Sequence, residues 1–249
     1  MDSILQLAAY IKAAKRIAFF SGAGISTESN LPDFRSRNGL WTNNQSFEKL
    51  VSLSYFERHP VDFWKAYKDI FAMKLLNQYE PNRGHLFITE LQNSGRDVTV
   101  ITQNIDGLHE KAGTHKVYEV HGTLKTATCP KCGTKYDLEY INTHETPRCQ
   151  TKSSNDTRCH TILKPDVVLF GDSVHHFNES VEAAYESDLF IVMGSSLEVG
   201  PINSIPQLIS GTAIPMVLIN KEHTVYDHLF DLCLYAGIGE TVEQVKRAL

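Results

Sequence analysis

Apolar positions along the chain follow two rhythms. Short runs of aliphatic and β-branched residues recur and stop abruptly at Gly, Ser, Asn or Gln. They are Ile17-Ala18-Phe19-Phe20, Val98-Thr99-Val100-Ile101, Val117-Tyr118-Glu119-Val120, Val167-Val168-Leu169-Phe170, Leu189-Phe190-Ile191-Val192-Met193, Pro215-Met216-Val217-Leu218-Ile219 and Leu232-Cys233-Leu234-Tyr235. Such runs read as buried strands. Between them the apolar spacing becomes helical. Ile4, Leu7, Ala8 and Ile11 predict a first helix of about a dozen residues, and Ser3 with Gln6 has the spacing of a capping box. From Ser46 to about Tyr79 the pattern is helical and aromatic, with Phe47, Leu50, Leu53, Phe56, Phe63, Trp64, Tyr67 and Phe71, and Pro60 opening one of the helices. His85 and Phe87 to Leu91 fit another helix, closed near Asn93-Ser94-Gly95. Val181 and Ala184 mark a further helix, and Glu243, Val245 and Leu249 a closing one.

Strands alternating with helices predict an α/β fold with a parallel sheet, whose ligands lie beyond the carboxyl ends of the strands. Two of those ends carry chemistry. Val98–Ile101 runs into Thr102-Gln103-Asn104-Ile105-Asp106-Gly107, and the following strand into His121-Gly122, so Gln103, Asn104, Asp106 and His121 are aimed at one crevice. The first strand runs into Ser21-Gly22-Ala23-Gly24, a glycine turn of the kind that lets a pyrophosphate approach the backbone. The third glycine of the dehydrogenase fingerprint is missing, as is a second strand ending in an acidic residue about 20 residues on. Asn30 to Trp41 is polar and glycine-bearing and suits a mobile lid.

Of the five cysteines, Cys129, Cys132, Cys149 and Cys159 fall in one segment and Cys233 stands apart. Cys129-Pro130-Lys131-Cys132 has the spacing of a zinc-ribbon knuckle, and four thiolates would close a structural tetrahedral shell. The interval from Cys149 to Cys159 is wide for such a site, and His144 or His160 could replace one thiolate. Clustered thiols without an export signal predict a reducing, cytoplasmic setting. A net charge of −5 in 249 residues argues against direct nucleic-acid binding, and no apolar run reaches the length of a membrane helix.

Taken together these segments resemble the sirtuins, NAD-dependent protein deacylases. The match rests on Gly22-Ala23-Gly24-Ile25-Ser26, Pro32-Asp33-Phe34-Arg35-Ser36, Thr102-Gln103-Asn104-Ile105-Asp106, His121-Gly122, the four cysteines, Pro165 to Gly171 and Gly194-Ser195-Ser196-Leu197-Glu198-Val199. They occur in the family's order over nearly the whole chain, as in a compact bacterial-type member. The resemblance implies a Rossmann-like NAD-binding domain (residues 1–36, 81–125 and 163–249) and a small domain made of a helical module (37–80) and a zinc-ribbon module (126–162).

It also implies roles. Ala23, Gly24 and Thr27 would line the pyrophosphate and ribose of NAD, and Phe34 and Arg35 would belong to a mobile cofactor loop. Gln103, Asn104, Ile105 and Asp106 would meet nicotinamide and its ribose, with Asn104 and His121 catalytic and His121 the general base for a ribose hydroxyl. Ser195, Ser196, Asn220 and Ile238 would hold the adenosine half. Val168, Phe170, Gly171 and Val199 would pair with an extended acyl-lysine peptide. Zn(2+) would sit on Cys129, Cys132, Cys149 and Cys159.

Three positions depart from the family's usual pattern: Asn30-Leu31 stands for Gly-Ile, Asp172 for Glu, and the last cysteine interval is long. Members that take succinyl or malonyl groups carry a Tyr-x-x-Arg in the helical module. The matching positions here are Tyr67 and Ile70, so neutral acyl groups are expected, acetyl first. The expected activity is transfer of the acetyl group from lysine to ADP-ribose with release of nicotinamide, by a monomer. The rival expectations are an NAD-dependent ADP-ribosyltransferase and a non-catalytic NAD-responsive binding protein.

Overall fold

A computed structural model of the chain describes residues 2–31, 46–76, 79–152 and 158–249, with backbone alone for Ser46 and 72–76. Beyond Asn30 and Leu31, the expected lid with Phe34 and Arg35 lies outside the described residues. In chain order, α1 (Ser3–Ala13) precedes β1 (Arg16–Ser21) and a 3-10 turn over Ala23–Ser29. α2 (Ser46–Leu50), α3 (Leu53–Arg58) and α4 (Pro60–Leu76) form the aromatic helical module. α5 (Arg83–Asn93), β2 (Asp97–Thr102), α6 (Leu108–Lys111) and β3 (Val117–Glu119) follow. β4 (Gly122–Thr128), β5 (Lys135–Asp137), α7 (Leu138–Thr143) and β6 (Lys164–Val167) surround the cysteines. α8 (Phe177–Tyr185), β7 (Leu189–Met193), α9 (Ile205–Ile209), β8 (Met216–Asn220), β9 (Leu232–Tyr235) and α10 (Ile238–Ala248) complete the chain.

The large sheet has six parallel strands in the order β3-β2-β1-β7-β8-β9. β1, β2 and β7 are buried on both faces except for Arg16 and Asp97 at their starts, which is why they read as continuous apolar runs. One face packs against α1, α5 and α10 through Leu7, Phe87, Leu91, Val242 and Val245, and the other against α8 and α9 through Ala184, Ile205 and Ile209. Each of these side chains other than that of Ala184 stabilises the fold by roughly 1.5–3 kcal/mol relative to leaving it in water. The chain winds outward from β1 through β2 and β3, then from β7 through β8 and β9. The order therefore reverses between β1 and β7, where α/β sheets open a crevice.

A second sheet, β5-β4-β6, is antiparallel and shares a core with the helical module through Phe56, Phe63, Trp64, Leu124, Ala127, Leu163 and Val167. Trp64 Nε1 donates to the Leu163 carbonyl at 2.8 Å, satisfying the one polar atom that this ring buries.

Two local expectations are corrected. The N-cap of α1 is Asp2, whose carboxylate accepts from the Ile4 amide at 2.9 Å, so Ser3 begins the helix instead of capping it. The run Val167–Phe170 is not a strand of the parallel sheet. Its strand is Lys164–Val167, paired antiparallel with β4, with Pro165 on an edge where its missing N–H costs nothing. Beyond Val167 the chain peels away: Val168 donates to the His121 carbonyl at 2.8 Å and Phe170 to the Val51 carbonyl at 3.2 Å.

Candidate active site

At the switch point the ends of β1 and β7 interlock. Gly22 donates to the Met193 carbonyl at 3.2 Å and Gly24 to the Gly194 carbonyl at 2.8 Å. A Cβ on Gly24 would stand 2.7 Å from the Gly194 oxygen, and one on Gly194 only 2.3 Å from the Ile25 nitrogen, so backbone alone fits there. Above this floor lies a cleft of about 680 Å³.

Its walls come from distant parts of the chain. The glycine turn contributes Ala23, Gly24 and Thr27, and the end of β2 contributes Gln103, Asn104 and Ile105. His121 closes the side next to β4. Ser195, Ser196, Asn220 and Ile238 line the end beyond β7 and β8, and Val168, Phe170, Gly171 and Val199 form the outer rim. Asp106 is set back from the wall. Its carboxylate accepts from the Ser26 hydroxyl at 2.8 Å and from the Leu108 amide at 3.0 Å.

The polar side chains are held individually. Asn104 Nδ2 donates to Ser26 Oγ at 3.0 Å, and the Asn104 amide donates to Thr102 Oγ1 at 3.1 Å. Gln103 Oε1 accepts from Ser195 Oγ at 2.9 Å, while Gln103 Nε2 is buried without a partner. A buried amide donor left open at a cleft wall is a ready partner for a polar ligand. His121 Nδ1 lies 3.1 Å from the Gln103 carbonyl. A carbonyl can only accept, so the proton sits on Nδ1 and Nε2 keeps its lone pair. Burial pushes the His121 pKa down from its usual 6.5, against a smaller upward pull from that carbonyl. The ring is therefore neutral at neutral pH. Gly122 is obligatory beside it: φ is +74°, and a Cβ would stand 1.9 Å from the Asp166 carbonyl oxygen.

The four clustered thiols converge, with every Sγ within 4.8 Å of the others. Cys129 and Cys159 are 3.8 Å apart and Cys132 and Cys149 3.4 Å, against about 3.8 Å for the edge of a tetrahedron with 2.3 Å zinc–sulfur bonds. The thiol set thus fits zinc. His144 instead turns its Nδ1 to the Tyr140 carbonyl at 2.9 Å. The wide Cys149–Cys159 interval is a paired excursion: Cys149 donates to Thr161, His160 to Cys149 and Cys159 to Thr151, which returns the last thiol beside the third.

Several residues at or behind the wall are not marked as site residues by the sequence. Glu28 accepts from the Gly239 amide at 3.0 Å, capping the start of α10 beside Ile238. Val51 and Phe71 line the cleft from the helical module, whereas Tyr67 is buried behind them in its aromatic core. Ser26 bridges Asn104 and Asp106.

The sequence model described as the Sir2 family matches residues 22–201. The chain is 51% identical to the NAD-dependent protein deacetylase 2 of Geobacillus kaustophilus (strain HTA426), covering 100% of this chain and 99% of that relative. A solved structure from work on the mechanism and regulation of Sir2 enzymes superposes with a TM-score of 0.84 at 37% identity, over 100% of this chain and 99% of that one. A Sir2 structure with a deacetylated peptide and 3′-O-acetyl-ADP-ribose superposes with a TM-score of 0.86 at 29% identity, over 97% and 96% of the two chains.

Proposed function

The chain belongs to the Sir2 family, and from that premise we infer that it is an NAD-dependent protein-lysine deacetylase. It moves the acetyl group of acetyl-lysine to ADP-ribose and releases nicotinamide. The observation that carries this reading is His121, neutral, with Nδ1 committed to a carbonyl and Nε2 available in the cleft that also contains the glycine turn and Asn104.

The residues present fit NAD. Ala23, Gly24 and Thr27 would receive the pyrophosphate and ribose, and Ser195, Ser196, Asn220 and Ile238 the adenosine half. Gln103, Asn104, Ile105 and Asp106 would meet the nicotinamide end, where the unpaired Gln103 amide has a donor to offer. Phe34 and Arg35 would complete the cofactor site. Bound NAD supplies an electrophilic ribose carbon with nicotinamide as its leaving group. Asn104, clamped between Ser26 and Thr102, and the Asp106 carboxylate behind it form a fixed polar environment for the positive charge that develops during glycosidic cleavage. His121 Nε2 takes the proton from a ribose hydroxyl and so makes it nucleophilic.

Val168, Phe170, Gly171 and Val199 would hold the peptide as an added strand, with affinity from main-chain hydrogen bonds and the acyl chain directed inward past Val51 and Phe71. Cys129, Cys132, Cys149 and Cys159 would hold a structural zinc with no position left for substrate. The NAD-binding part would comprise 1–36, 81–125 and 163–249, and the small domain 37–80 and 126–162, with one junction inside β4 and another just before β6. The same proposal makes the enzyme a cytoplasmic monomer that acts on acyl-lysine proteins without nucleic acid. The net negative charge speaks against nucleic acid, and the clustering of four cysteines in a metal-binding pattern favours a reducing compartment.

The test is a panel of acylated peptides with NAD, reading nicotinamide and the acylated ADP-ribose together. Stoichiometric nicotinamide and O-acetyl-ADP-ribose from an acetyl peptide is the expected result. Nicotinamide release with ADP-ribose attached to protein would instead favour the transferase reading.

A further inference from the structure

Behind the cleft lies a buried polar column of which the chemistry above uses only Thr102. His85, His109, Ser21 and Thr102 are each at most 2% exposed. Ser21 Oγ donates to Thr102 Oγ1 at 2.8 Å, which uses the only hydroxyl proton of Ser21. His109 Nε2 lies 2.8 Å from the same Ser21 oxygen, so Nε2 must carry the proton and donate it. Thr102 Oγ1 in turn accepts the Asn104 amide at 3.1 Å. The donations therefore converge on Thr102 Oγ1, from His109 by way of the Ser21 hydroxyl on one side and from the backbone N–H of Asn104 on the other.

His85 fixes the far end of the column. Its Nδ1 accepts from the Asn82 amide at 3.3 Å as part of the capping of α5, leaving the proton on Nε2. The two imidazole rings meet edge to face with centroids 4.8 Å apart. His85 Nε2 and His109 Nδ1 are both buried without a hydrogen-bond partner, the first a donor and the second an acceptor. That complementarity favours one tautomer of each ring. Burial keeps both neutral: the His85 pKa falls to about 4, with Asp106 opposing, and that of His109 falls well below its usual value.

We propose that His109 is a positioning residue for the NAD-cleaving step, acting through the Ser21 and Thr102 hydroxyls to fix the main chain, and so the side chain, of Asn104. Ser26 holds the same side chain from the front at 3.0 Å, so Asn104 is gripped from both sides of its Cα. A hydrophobic filler would pack this space as well, but it would leave the Ser21 and Thr102 hydroxyls free to reorient. Errors of about 1 Å in the placement of reacting groups can cost on the order of 10²-fold in rate. The proposal rests on the role assigned above to Asn104.

The experiment is a double-mutant cycle on the full chain, with kcat and KM for NAD and acetyl peptide and the Tm of every variant. His109→Phe, which keeps a ring against His85 but removes the donor, is expected to lower kcat about tenfold with peptide KM within about twofold. His109→Gln, which restores an N–H donor, recovers most of that loss. In the Asn104→Ala background His109→Phe adds less than about a twofold effect, because the group it positions is gone. Ser21→Ala reproduces the pattern with a smaller packing change and carries the test if His109→Phe fails to fold. An equal effect of His109→Phe or Ser21→Ala in both backgrounds overturns the proposal, as does a kcat that follows Tm across the variants with no rescue by Gln. If Asn104→Ala turns over at the wild-type rate, the catalytic role of Asn104 fails and the proposal falls with it. That outcome is distinguishable because the single Asn104 variant alone reports it.

Discussion

His121 Nδ1 lies 3.1 Å from the main-chain carbonyl of Gln103, the residue that begins the loop at the end of β2. One contact thus sets the tautomer of the imidazole and ties it to the strand end that delivers Asn104. Because burial holds the His121 pKa below its usual 6.5, the base form is already complete at neutral pH. The acidic limb of kcat/KM for the free enzyme is expected to bend below about pH 6.5. His121→Ala should lower product formation by about 10²–10⁴-fold while Tm and zinc content stay near wild type. A rate profile across pH 5 to 9 checks the first expectation, and mass spectrometry of acylated ADP-ribose the second.

The thiol cluster joins β4 to the excursion between Cys149 and Cys159, so zinc should staple the small sheet and not the cleft. Cys132→Ser, or prolonged chelation, is expected to lower the melting temperature and expose the aromatic core around Phe63 and Trp64. Trp fluorescence with zinc titration measures this. Activity should return with metal if the sheet has not aggregated.

Ile70 packs with the aromatic core of the helical module, and among the described residues Val51 and Phe71 line the cleft from that module. None of the three can pair with a carboxylate. Turnover on acetyl-lysine peptides should exceed that on succinyl-lysine peptides by at least about tenfold, since a desolvated carboxylate without a partner loses several kcal/mol. Succinyl peptides turning over faster would show that a cation reaches the acyl end from elsewhere.

Glu119, two residues before His121, has its carboxyl pushed up to about 7, first by burial and then by the Glu110 carboxylate, with Lys125 opposing. An unfolded Glu titrates near 4.3, so between about pH 4.3 and 7 the folded chain binds the extra proton and stability falls as pH rises through that window. Glu119→Gln removes this penalty. Its Tm relative to wild type should rise by at least about 2 °C between pH 5 and pH 8. Parallel melting curves at the two pH values would reveal the shift, and parallel displacement at both would disprove it.

The parallel sheet was legible in the sequence because its central strands are buried on both faces, leaving unbroken apolar runs such as Phe19-Phe20 and Ile191-Val192. The small sheet was not. β4 and β5 alternate only weakly between buried and half-exposed positions, and Lys164-Pro165-Asp166 hides an edge strand behind residues that disfavour one. In the cleft, Gln103, Asn104 and His121 stood out because polar groups abruptly follow apolar strands. Glu28 gave no such sign, since its partner Gly239 is 211 positions away in the chain. The His85–His109 pairing was equally hidden, for a histidine in a helical pattern looks the same whether it meets solvent or another imidazole.

The interlocked glycines at the end of β1 and β7 carry a consequence for how this protein can change. Because Gly24 and Gly194 meet backbone to backbone, the depth of the cleft is set by no side chain at all. Substitutions along the lining can retune what the cleft prefers while its floor stays level. Neither glycine can acquire a side chain first and wait for the other to yield, so this point of the fold is closed to gradual exploration.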